Sequence, residues 1–451
     1  MPNNYVLLER IELNASAASV TFANIPQTGY TDLKIVMSAR TEAANVYRNV
    51  YVSFNGSTSS FSSRELYGTG SATGSGNSSS SPGGGQGVGY VNGTTTTAST
   101  FSNNEIYIPN YTSSVAKSMS SDFAVENNAT SSLVGSVATL WNPGTQAAIT
   151  SITLTPDGTN FVQYSTFSLY GLAALGTTPA IAPKASGGNI IDYDGTYWIH
   201  TFLSSGTFTP QTGLSCDYLV VAGGGSGGKW IGAGGGAGGV RSTVGATGGG
   251  GSLESKLSVV SGTNYAITVG AGGASQTTSS TAGNSGSNST FSTITSTGGG
   301  GGGAYQNVAG VTGGSGGGGG LNAGGGSGTA NQGYAGGSAV SAANYQSAGG
   351  GGAGAVGASS VGSGPGAGGN GIATSITGSS VSYGGGGGGT ANAVNGASGG
   401  AGGGGAGGLT SGSGFAGSAN TGGGGGGESQ GAPLTTSGAG GSGIVIIRYL
   451  A

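Results

Sequence analysis

The first part of the chain alternates apolar and polar residues over short stretches. Leu33–Ala39, Val50–Phe54 and Thr166–Gly171 are rich in β-branched and aromatic residues, and Asn, Gly, Pro or Asp residues separate such stretches. Alternation with a period of two is typical of strands that turn one face to a core. Apolar patterns with the period and length of a helix are absent. We therefore predict an all-β protein whose residues 1–172 form a jelly-roll-like β-sandwich.

The alternation disappears between Gly68 and Asn104, where Gly, Ser and Thr dominate. Long segments without secondary structure are uncommon in compact domains, and those that occur are often functional. We predict that residues 68–104 form a long surface loop or an extended excursion at the edge of the sandwich. A passive loop and a contact with a partner protein are both compatible with its composition.

A second change of pattern predicts a domain boundary. Residues 173–189 are rich in Gly, Thr, Ala and Pro, which indicates an extended linker. Beyond the linker, Tyr197–Phe202 and Gly206–Thr209 predict a hairpin that leads into the apolar strand Tyr218–Ala222. We assign residues 190–451 to a second, glycine-rich domain.

Glycine dominates this second domain. The chain contains 107 glycines, and unbroken runs such as Gly298–Gly303 and Gly384–Gly389 have no side chain from which to build a core. Composition alone favours a flexible tract, because ordering glycine costs more entropy than ordering any other residue. Three features favour order: Leu257 through Gly427 contain no charged residue or histidine, the tract ends in the apolar strand Ile444–Tyr449, and isolated tyrosines separate the runs.

The ordered conformation open to such runs is the polyproline II helix, which has three residues per turn and no internal hydrogen bonds. Its N–H and C=O groups can therefore bind neighbouring helices, and glycine allows those helices to approach closely. We predict a bundle of polyglycine II helices in a β frame, with alanine and serine only on its outside. We find no Gly-X-Y period of the collagen type.

Composition excludes several classes of protein. A net charge of −3 gives no basic surface for nucleic acid. The single Cys216 excludes a disulfide framework, and we interpret the single His200 as a half-buried, hydrogen-bonded strand residue. No apolar run reaches the roughly 20 residues of a membrane helix. Met1–Asn4 lacks the start of a secretion signal, so we expect synthesis in a cytoplasm and no membrane insertion.

No motif supports an enzyme. Gly223–Lys229 has the spacing of a phosphate-binding loop, but Trp230 stands where Ser or Thr would hold Mg²⁺, and the glycines that follow cannot form the required helix. Asp192–Gly195 lacks the further ligands of a calcium loop and predicts a turn. Nothing places Glu9 and Glu12 across a cleft, so we interpret them as solvated residues. We predict no catalytic residue, no metal and no cofactor.

The second domain resembles a known family in its order of segments and in both of its ends. The segments that carry the resemblance are Thr207–Gly225, Val269–Gly273, Thr297–Gly300, Gln332–Gly337 and Gly440–Tyr449. From about His200 to Tyr449 the chain closely resembles the glycine-rich domain of tailed-phage fibres and adhesins. The resemblance implies a β-framed sandwich of polyglycine II helices whose distal loops contact a host receptor.

Candidate receptor contacts lie between the glycine runs, where tyrosines and amides occur together. Tyrosine offers a large contact area at low entropic cost, and amides hydrogen-bond adaptably. The alternative is that these residues cap the ends of the bundle and shield it from water. The candidates are Tyr305, Gln306, Asn307, Asn344, Tyr345, Gln346, Tyr383, Asn392, Asn395, Phe415 and Asn420.

The N-terminal segment is similar to β-sandwich modules in structural proteins of marine phages, on the evidence of Ser38–Thr41, Phe54–Gly56 and Ser165–Gly171. We therefore expect a non-enzymatic virion protein, a tail fibre or other exterior appendage made in the host cytoplasm. Its expected partners are a host cell-surface receptor, either a glycan or an outer-membrane protein, and other virion proteins. Analogy with fibres suggests a homotrimer. The alternative is a structural decoration of the capsid or tail that binds no receptor.

Overall fold

A computed structural model of the chain describes residues 5–79, 85–125, 132–145, 147–173, 182–339, 345–360, 364–392, 395–410, 412–430 and 435–451. These residues form strands and one short 3-10 turn at Gly248–Gly250, which confirms the predicted all-β class. No helix among them is long and apolar enough to cross a membrane. The strands are β1 (Tyr5–Glu12), β2 (Val20–Phe22), β3 (Tyr30–Ser38), β4 (Tyr47–Phe54), β5 (Phe61–Gly68), β6 (Thr73–Ser79), β7 (Gln86–Asn92), β8 (Asn103–Ile108), β9 (Lys117–Ala124), β10 (Val134–Trp141), β11 (Ile152–Pro156), β12 (Thr166–Ala173), β13 (Ala185–Ser186), β14 (Ile190–Tyr193), β15 (Tyr197–Phe202), β16 (Gly206–Pro210), β17 (Leu214–Val221), β18 (Val240–Ser242), β19 (Leu257–Val259), β20 (Tyr265–Thr268), β21 (Ser289–Phe291), β22 (Ile294–Ser296), β23 (Ile372–Thr374), β24 (Val381–Tyr383) and β25 (Ile444–Leu450).

The chain divides into two compact units. Unit 1 comprises residues 1–183, 189–198 and 451, and unit 2 comprises residues 184–188 and 199–450. This division differs from the predicted linker at residues 173–189. Strand β13 lies inside the predicted linker but pairs with β16 in unit 2, and β14 pairs with β1 in unit 1, because backbone hydrogen bonds tie both short segments to neighbouring strands. Residues 174–181 of the predicted linker lie outside the described residues.

Unit 1 is a sandwich of antiparallel sheets, as the alternating pattern predicts. One sheet has the order β14-β1-β12-β3-β8-β9-β10-β5-β6, and the other has the order β2-β11-β4-β7. Large aromatic side chains on the inward faces fill the core. Phe54 meets Trp141 edge-on with ring centroids 5.4 Å apart, and Phe161 meets Phe167 at 4.9 Å. All four side chains are buried, so a core of side chains stabilises this unit.

Residues 68–104 are not a loop throughout: they contain strands β6 and β7, each at the edge of a sheet, which agrees with the alternative of an extended excursion at the edge of the sandwich. Strand β6 pairs with β5, and β7 pairs with β4. The Gly, Ser and Thr residues of β6 show no apolar alternation, but a neighbouring strand pairs with backbone groups whatever side chains they carry. The segment after β7 encloses the Arg40 guanidinium, which donates to the carbonyl oxygens of Thr97 and Thr100 at 2.8 and 3.0 Å.

Strands at its two ends frame the glycine tract of unit 2. Strand β17 pairs antiparallel with β25, with Val220 opposite Val445, so the chain returns to the strand from which the tract began, as predicted. The predicted hairpin of β15 and β16 is wrong: β15 is hydrogen-bonded to β25, and β16 pairs with β20. The Phe208 ring on β16 lies 5.2 Å from the His200 ring on β15. The two strands therefore face each other across an aromatic core.

The glycine runs are extended rods that hydrogen-bond to one another. In the rod Gly223–Gly228, the first and fourth N–H groups donate to residues 284–287, the second and fifth to residues 438–441, and the third and sixth to residues 233–236. Every third residue therefore has the same neighbouring rod, which is the periodicity of a polyglycine II helix. The rod at residues 233–239 shows the same period of three toward its own neighbours. The tract is an ordered bundle, as predicted.

Only glycine fits where central rods touch. A Cβ atom on Gly225 would lie 2.2 Å from the Gly300 carbonyl oxygen, and one on Gly234 would lie 1.9 Å from the carbonyl oxygen of Gly387. Real Cβ atoms do not come this close to another atom. The contacts at these glycines are therefore made by backbone atoms alone.

The expectation that alanine and serine occur only on the outside of the bundle is wrong. Ala233, Ala237 and Ser226 are fully buried within central rods. The Ser226 hydroxyl oxygen accepts the Asn284 N–H at 2.8 Å, which supplies a hydrogen-bond partner inside the bundle. Small side chains are therefore accommodated at particular positions of the rods, where no neighbouring carbonyl occupies the same space.

One rod at the edge of the bundle has two glycines that contact the next rod, and they are three residues apart. In the rod at residues 412–418, Gly414 and Gly417 are the positions at which a Cβ atom would collide with the next rod, at 2.1 and 2.3 Å. The intervening Ser413, Phe415 and Ala416 are exposed. This local spacing of three is not a collagen-type Gly-X-Y repeat, since Gly412 lies only two residues before Gly414.

Candidate binding site at the turn end

The rods reverse direction at two ends of the bundle. At the frame end they join strands β17 and β25. At the other end, which we call the turn end, lie Trp230, Tyr305, Tyr345 and Glu428. The Tyr305 N–H donates to the Trp230 carbonyl oxygen at 3.0 Å, and the Trp230 N–H donates to Glu428 Oε2 at 2.7 Å. The bundle thus brings residues from four distant parts of the sequence to one place.

Three of these side chains, Trp230, Tyr305 and Tyr345, form what we call the aromatic cluster. The Trp230 and Tyr305 rings stack with centroids 6.4 Å apart and an interplanar angle of 22°, and Tyr305 meets Tyr345 edge-on at 6.2 Å. Trp230 is 38% exposed and Tyr345 is 44% exposed. Trp141 and Trp198 are buried, so Trp230 is the exposed tryptophan of the chain. Rings that pack on one another at a surface offer a large and rigid contact area.

Two charged side chains lie beside the aromatic cluster, and both are buried. Glu428 is 2% exposed, and its Oε1 atom accepts a hydrogen bond from the Thr435 hydroxyl at 2.5 Å. Lys229 is 6% exposed, and its Nζ atom donates to the Thr435 carbonyl oxygen. The sequence has no other charged residue from Leu257 to Ile447. The rods and turns from Leu257 to Ile447 therefore present uncharged groups to solvent.

The turns of the aromatic cluster have left-handed backbone conformations at residues other than glycine. The φ angles are +65° at Trp230, +49° at Ile231 and +47° at Tyr345. Such conformations cost about 1–3 kcal/mol each and persist only where the surroundings hold them. Hydrogen bonds to Glu428 and from Tyr305 hold Trp230 at its N–H and its carbonyl. The side chain is therefore set in place without a ligand.

Several of the predicted contact residues lie at this end. Gln306 and Asn307 follow Tyr305, are exposed and also have left-handed φ angles, of +66° and +64°. Asn392 is half-buried and Asn395 is exposed. They follow Thr390, whose hydroxyl donates to the Gly232 carbonyl two residues after Trp230, at 2.9 Å. Asn344 lies outside the described residues.

Four other candidates lie elsewhere or are covered. Gln346 is buried, and Tyr383 is buried on β24 opposite Ile372, where burial raises the pKa of its phenol. Asn420 is half-buried at the frame end, where its N–H donates to the Ser442 hydroxyl oxygen at 2.9 Å. Phe415 is 52% exposed, but on the side of the bundle. The structure therefore separates the candidates into a group at the turn end and scattered residues outside it.

Sequence reasoning missed Trp230, Lys229 and Glu428 as parts of a site. In the sequence, Trp230 stands out only as a mismatch in a phosphate-binding spacing. A signal for it existed, because it is the only tryptophan of the glycine tract and stands at the turn between two rods, Gly223–Gly228 and residues 233–239. The Glu428 and Lys229 charges are separated by about two hundred residues, so only the order of the rods could bring them together.

Other titratable groups have structural surroundings. His200 is fully buried, not half-buried as expected: its Nδ1 atom donates to the Gly187 carbonyl at 2.6 Å and its Nε2 atom lies 2.9 Å from the Tyr449 hydroxyl oxygen. Burial lowers the pKa of His200 to about 4. Glu9 is half-buried and not fully solvated as expected, and burial, and secondly the charge of Asp192, raises its pKa to about 8.

The predicted turn at Asp192–Gly195 begins only at Asp194, because Asp192 and Tyr193 belong to strand β14. The Asp194 carboxylate accepts the N–H groups of Thr196 and Tyr197 at 2.9 and 2.8 Å, which is the hydrogen bonding of an Asx turn. Within the described ranges, no group of three or more His, Cys, Asp or Glu side chains could hold a metal ion. The turn end is therefore the place where exposed side chains of distant origin converge.

One comparison with known proteins identifies the second unit. A family model described as a glycine-rich domain matches residues 203–450, which is more than half of the chain. The match includes the rods, their framing strands β17 and β25, and the aromatic cluster. No curated protein and no solved structure matches the chain.

Proposed function

We propose, from the premise that the chain belongs to the glycine-rich domain family, that it is a virion adhesin of a tailed phage whose turn end binds a receptor on the host surface. The segments from Thr207–Gly225 to Gly440–Tyr449 resemble those of phage fibres and adhesins, and this resemblance supports the virion context. The proposed role is non-enzymatic. Binding at a fixed, exposed end of a rigid bundle requires no chemistry beyond contact.

The observation that carries this proposal is the aromatic cluster. Trp230, Tyr305 and Tyr345 come from three separate parts of the sequence, and their rings contact one another at a surface although Trp230 and Tyr345 remain more than a third exposed. A residue whose only role were to shield the end of the bundle would gain by burying its ring. Exposed Trp and Tyr side chains are also the residues that most often dominate binding energies.

The composition of the turns indicates the chemistry of the receptor contact. The Gln306 and Asn307 amides stand next to the Tyr305 ring, and the nearby charges of Lys229 and Glu428 are buried. Such a surface fits an uncharged receptor with apolar faces and hydroxyl or amide groups. A neutral sugar and an uncharged protein loop both have these properties.

Adsorption of particles to their host bacterium tests the proposal. Particles that carry Trp230→Ala together with Tyr345→Ala should adsorb at least about tenfold more slowly, because a hot-spot residue contributes about 2 kcal/mol or more. Phe415→Ala is the matched control, since it removes an aromatic ring that is also more than a third exposed but lies on the side of the bundle.

Two results would contradict the proposal. One is normal adsorption of the double variant, which would favour the alternative of a structural decoration without a receptor. The other is an equal loss with Phe415→Ala, which would place the contact outside the turn end. Particle yield and thermal stability should be unchanged in all variants, since these side chains are exposed.

A further inference from the structure

The turn end contains one buried carboxylate, that of Glu428, in a region where the sequence is otherwise almost free of charge. Burying a carboxylate is costly unless hydrogen bonds compensate for the lost water. Glu428 has such bonds on both oxygens: Oε2 accepts the Trp230 N–H at 2.7 Å and Oε1 accepts the Thr435 hydroxyl at 2.5 Å. The role of the buried Glu428 carboxylate therefore has to be sought in the groups to which it is hydrogen-bonded.

We infer that Glu428 is the positioning residue of the receptor site, which fixes the Trp230 turn so that the indole stands at the surface. This inference rests on the proposed function of the turn end. Glu428 is buried and bonds to the backbone of Trp230, not to its ring, so it acts on the receptor through Trp230.

The backbone around Glu428 supports this role. The Glu428 N–H donates to the Gly228 carbonyl at 3.1 Å, and the Glu428 carbonyl accepts the Gly232 N–H at 2.8 Å. The residue therefore bonds to the chain on both sides of the turn at Trp230. Its carboxylate holds the one N–H group that a left-handed φ of +65° turns toward it. A hydrogen bond to a charged acceptor is about twice as strong as a neutral one, which suits a strained turn.

Thr435 and Lys229 hold the carboxylate in turn. The Thr435 hydroxyl donates to Glu428, and the Lys229 Nζ atom donates to the carbonyl of the same threonine. Lys229 directly precedes Trp230, so this set of bonds closes on the turn itself. The buried charges thus belong to a device that sets the conformation of the turn, and the aromatic cluster gains affinity because less order must be imposed on binding.

Fluorine NMR of protein labelled with 5-fluorotryptophan tests the positioning without any ligand. The chain has three tryptophans, and Trp141 and Trp198 are buried while Trp230 is exposed, so each resonance reports a distinct place. Glu428→Ala should shift or broaden the Trp230 resonance alone. It should also increase the quenching of Trp230 fluorescence by acrylamide. Glu428→Gln retains an oxygen acceptor for the Trp230 N–H and should restore most of the native signal. A Trp230 resonance unchanged in Glu428→Ala would overturn the inference.

Two further variants control for folding. Glu254→Ala removes a partly buried carboxylate that pairs with Arg241 in the same unit, and it should leave the Trp230 resonance unchanged. Where Glu428→Ala fails to fold, Thr435→Val replaces it as the test. A change confined to Trp230 in Thr435→Val supports the inference, and no change there overturns it.

Adsorption separates failure of this inference from failure of the proposed function. Glu428→Ala should slow adsorption about tenfold and Glu428→Gln about twofold to threefold, in line with the loss or weakening of one charged hydrogen bond. Slow adsorption of Trp230→Ala with normal adsorption of Glu428→Ala overturns the positioning role and leaves the proposed function standing. Normal adsorption of both variants overturns the proposed function itself.

Discussion

In unit 1 the space between the sheets is filled by side chains such as Phe54 and Trp141, whereas in unit 2 the centre of the bundle is filled mainly by backbone. Phe54 and Trp141 are buried in ring contacts. Gly225 and Gly234 are buried against carbonyl groups of neighbouring rods. Apolar burial stabilises the first core, and hydrogen bonds between rods and close contact of Cα and carbonyl groups stabilise the second.

The difference predicts opposite sensitivities to mutation. A sandwich core loses stability when a side chain becomes smaller, because a cavity remains. A glycine bundle loses stability when a side chain becomes larger, because the backbones cannot separate without breaking their hydrogen bonds. Each unit contains a described tryptophan, Trp141 in unit 1 and Trp230 in unit 2, so fluorine NMR can follow the unfolding of each by urea.

The largest effect is expected in the sandwich. Phe54→Ala should lower the free energy of unfolding of unit 1 by about 3–5 kcal/mol, because it empties a fully buried site. The matching truncation in the bundle, Ala237→Gly, should cost unit 2 about 1 kcal/mol. The urea midpoints of the Trp141 and Trp230 resonances measure both. Equal losses would remove the distinction between the two cores.

Enlargement of a central glycine should have the next largest effect. Gly225→Ala should lower the free energy of unfolding of unit 2 by about 3 kcal/mol, since the new methyl group meets the Gly300 carbonyl and the rods must move apart. Amide exchange of Gly298–Gly303 should accelerate in this variant, because these residues form the adjacent rod. Native exchange rates and an unchanged urea midpoint would show that the bundle is looser than its contacts indicate.

The two units should respond to pH in opposite directions. The His200 pKa of about 4 lies below its ordinary value of 6.5, so the unfolded chain binds the proton first. Unit 2 should therefore lose up to about 3 kcal/mol as the pH falls from about 6.5 to about 4. The Glu9 pKa of about 8 lies above its ordinary value of 4.5, so unit 1 should lose stability as the pH rises between those values.

The urea midpoints of the Trp141 and Trp230 resonances measure these trends. They are compared from about pH 4 to about pH 8, the range between the pKa values of His200 and Glu9. Glu9→Gln should flatten the profile of unit 1 and leave that of unit 2 unchanged. Parallel profiles of the two units in the native protein would contradict the assignment of one titrating group to each.

The smallest effect is expected at an edge of the bundle. A Cβ atom on Gly324 meets no atom within 4 Å, and its φ angle is not in the left-handed region. Gly324→Ala should therefore stabilise unit 2 by about 0.5 kcal/mol, because alanine restricts the unfolded chain more than glycine does. The same urea experiment measures it. Together with Gly225→Ala, it separates the cost of a collision from the cost of replacing glycine as such.

Parts of the fold and of the site follow from local sequence patterns. The strands of the sandwich follow from alternation, and the ordered tract follows from its missing charge and from the apolar strand Ile444–Tyr449. Tyr305, Asn307 and Tyr345 follow from their residue types between glycine runs. Strand β6 could not be predicted in this way, because its Ser and Gly residues pair through their backbones and leave no apolar signal.

The sequence by itself determines that unit 2 must be built from backbone contacts, since its glycine runs offer no side chains to pack, and that the first strand of the tract must meet the last. The tertiary structure alone decides which turns become neighbours. Trp230, Tyr305 and Glu428 meet because rods distant in sequence lie side by side, and every glycine rod offers its neighbours the same N–H and C=O groups. The aromatic cluster therefore depends on the order of the rods, which no local pattern of residues specifies.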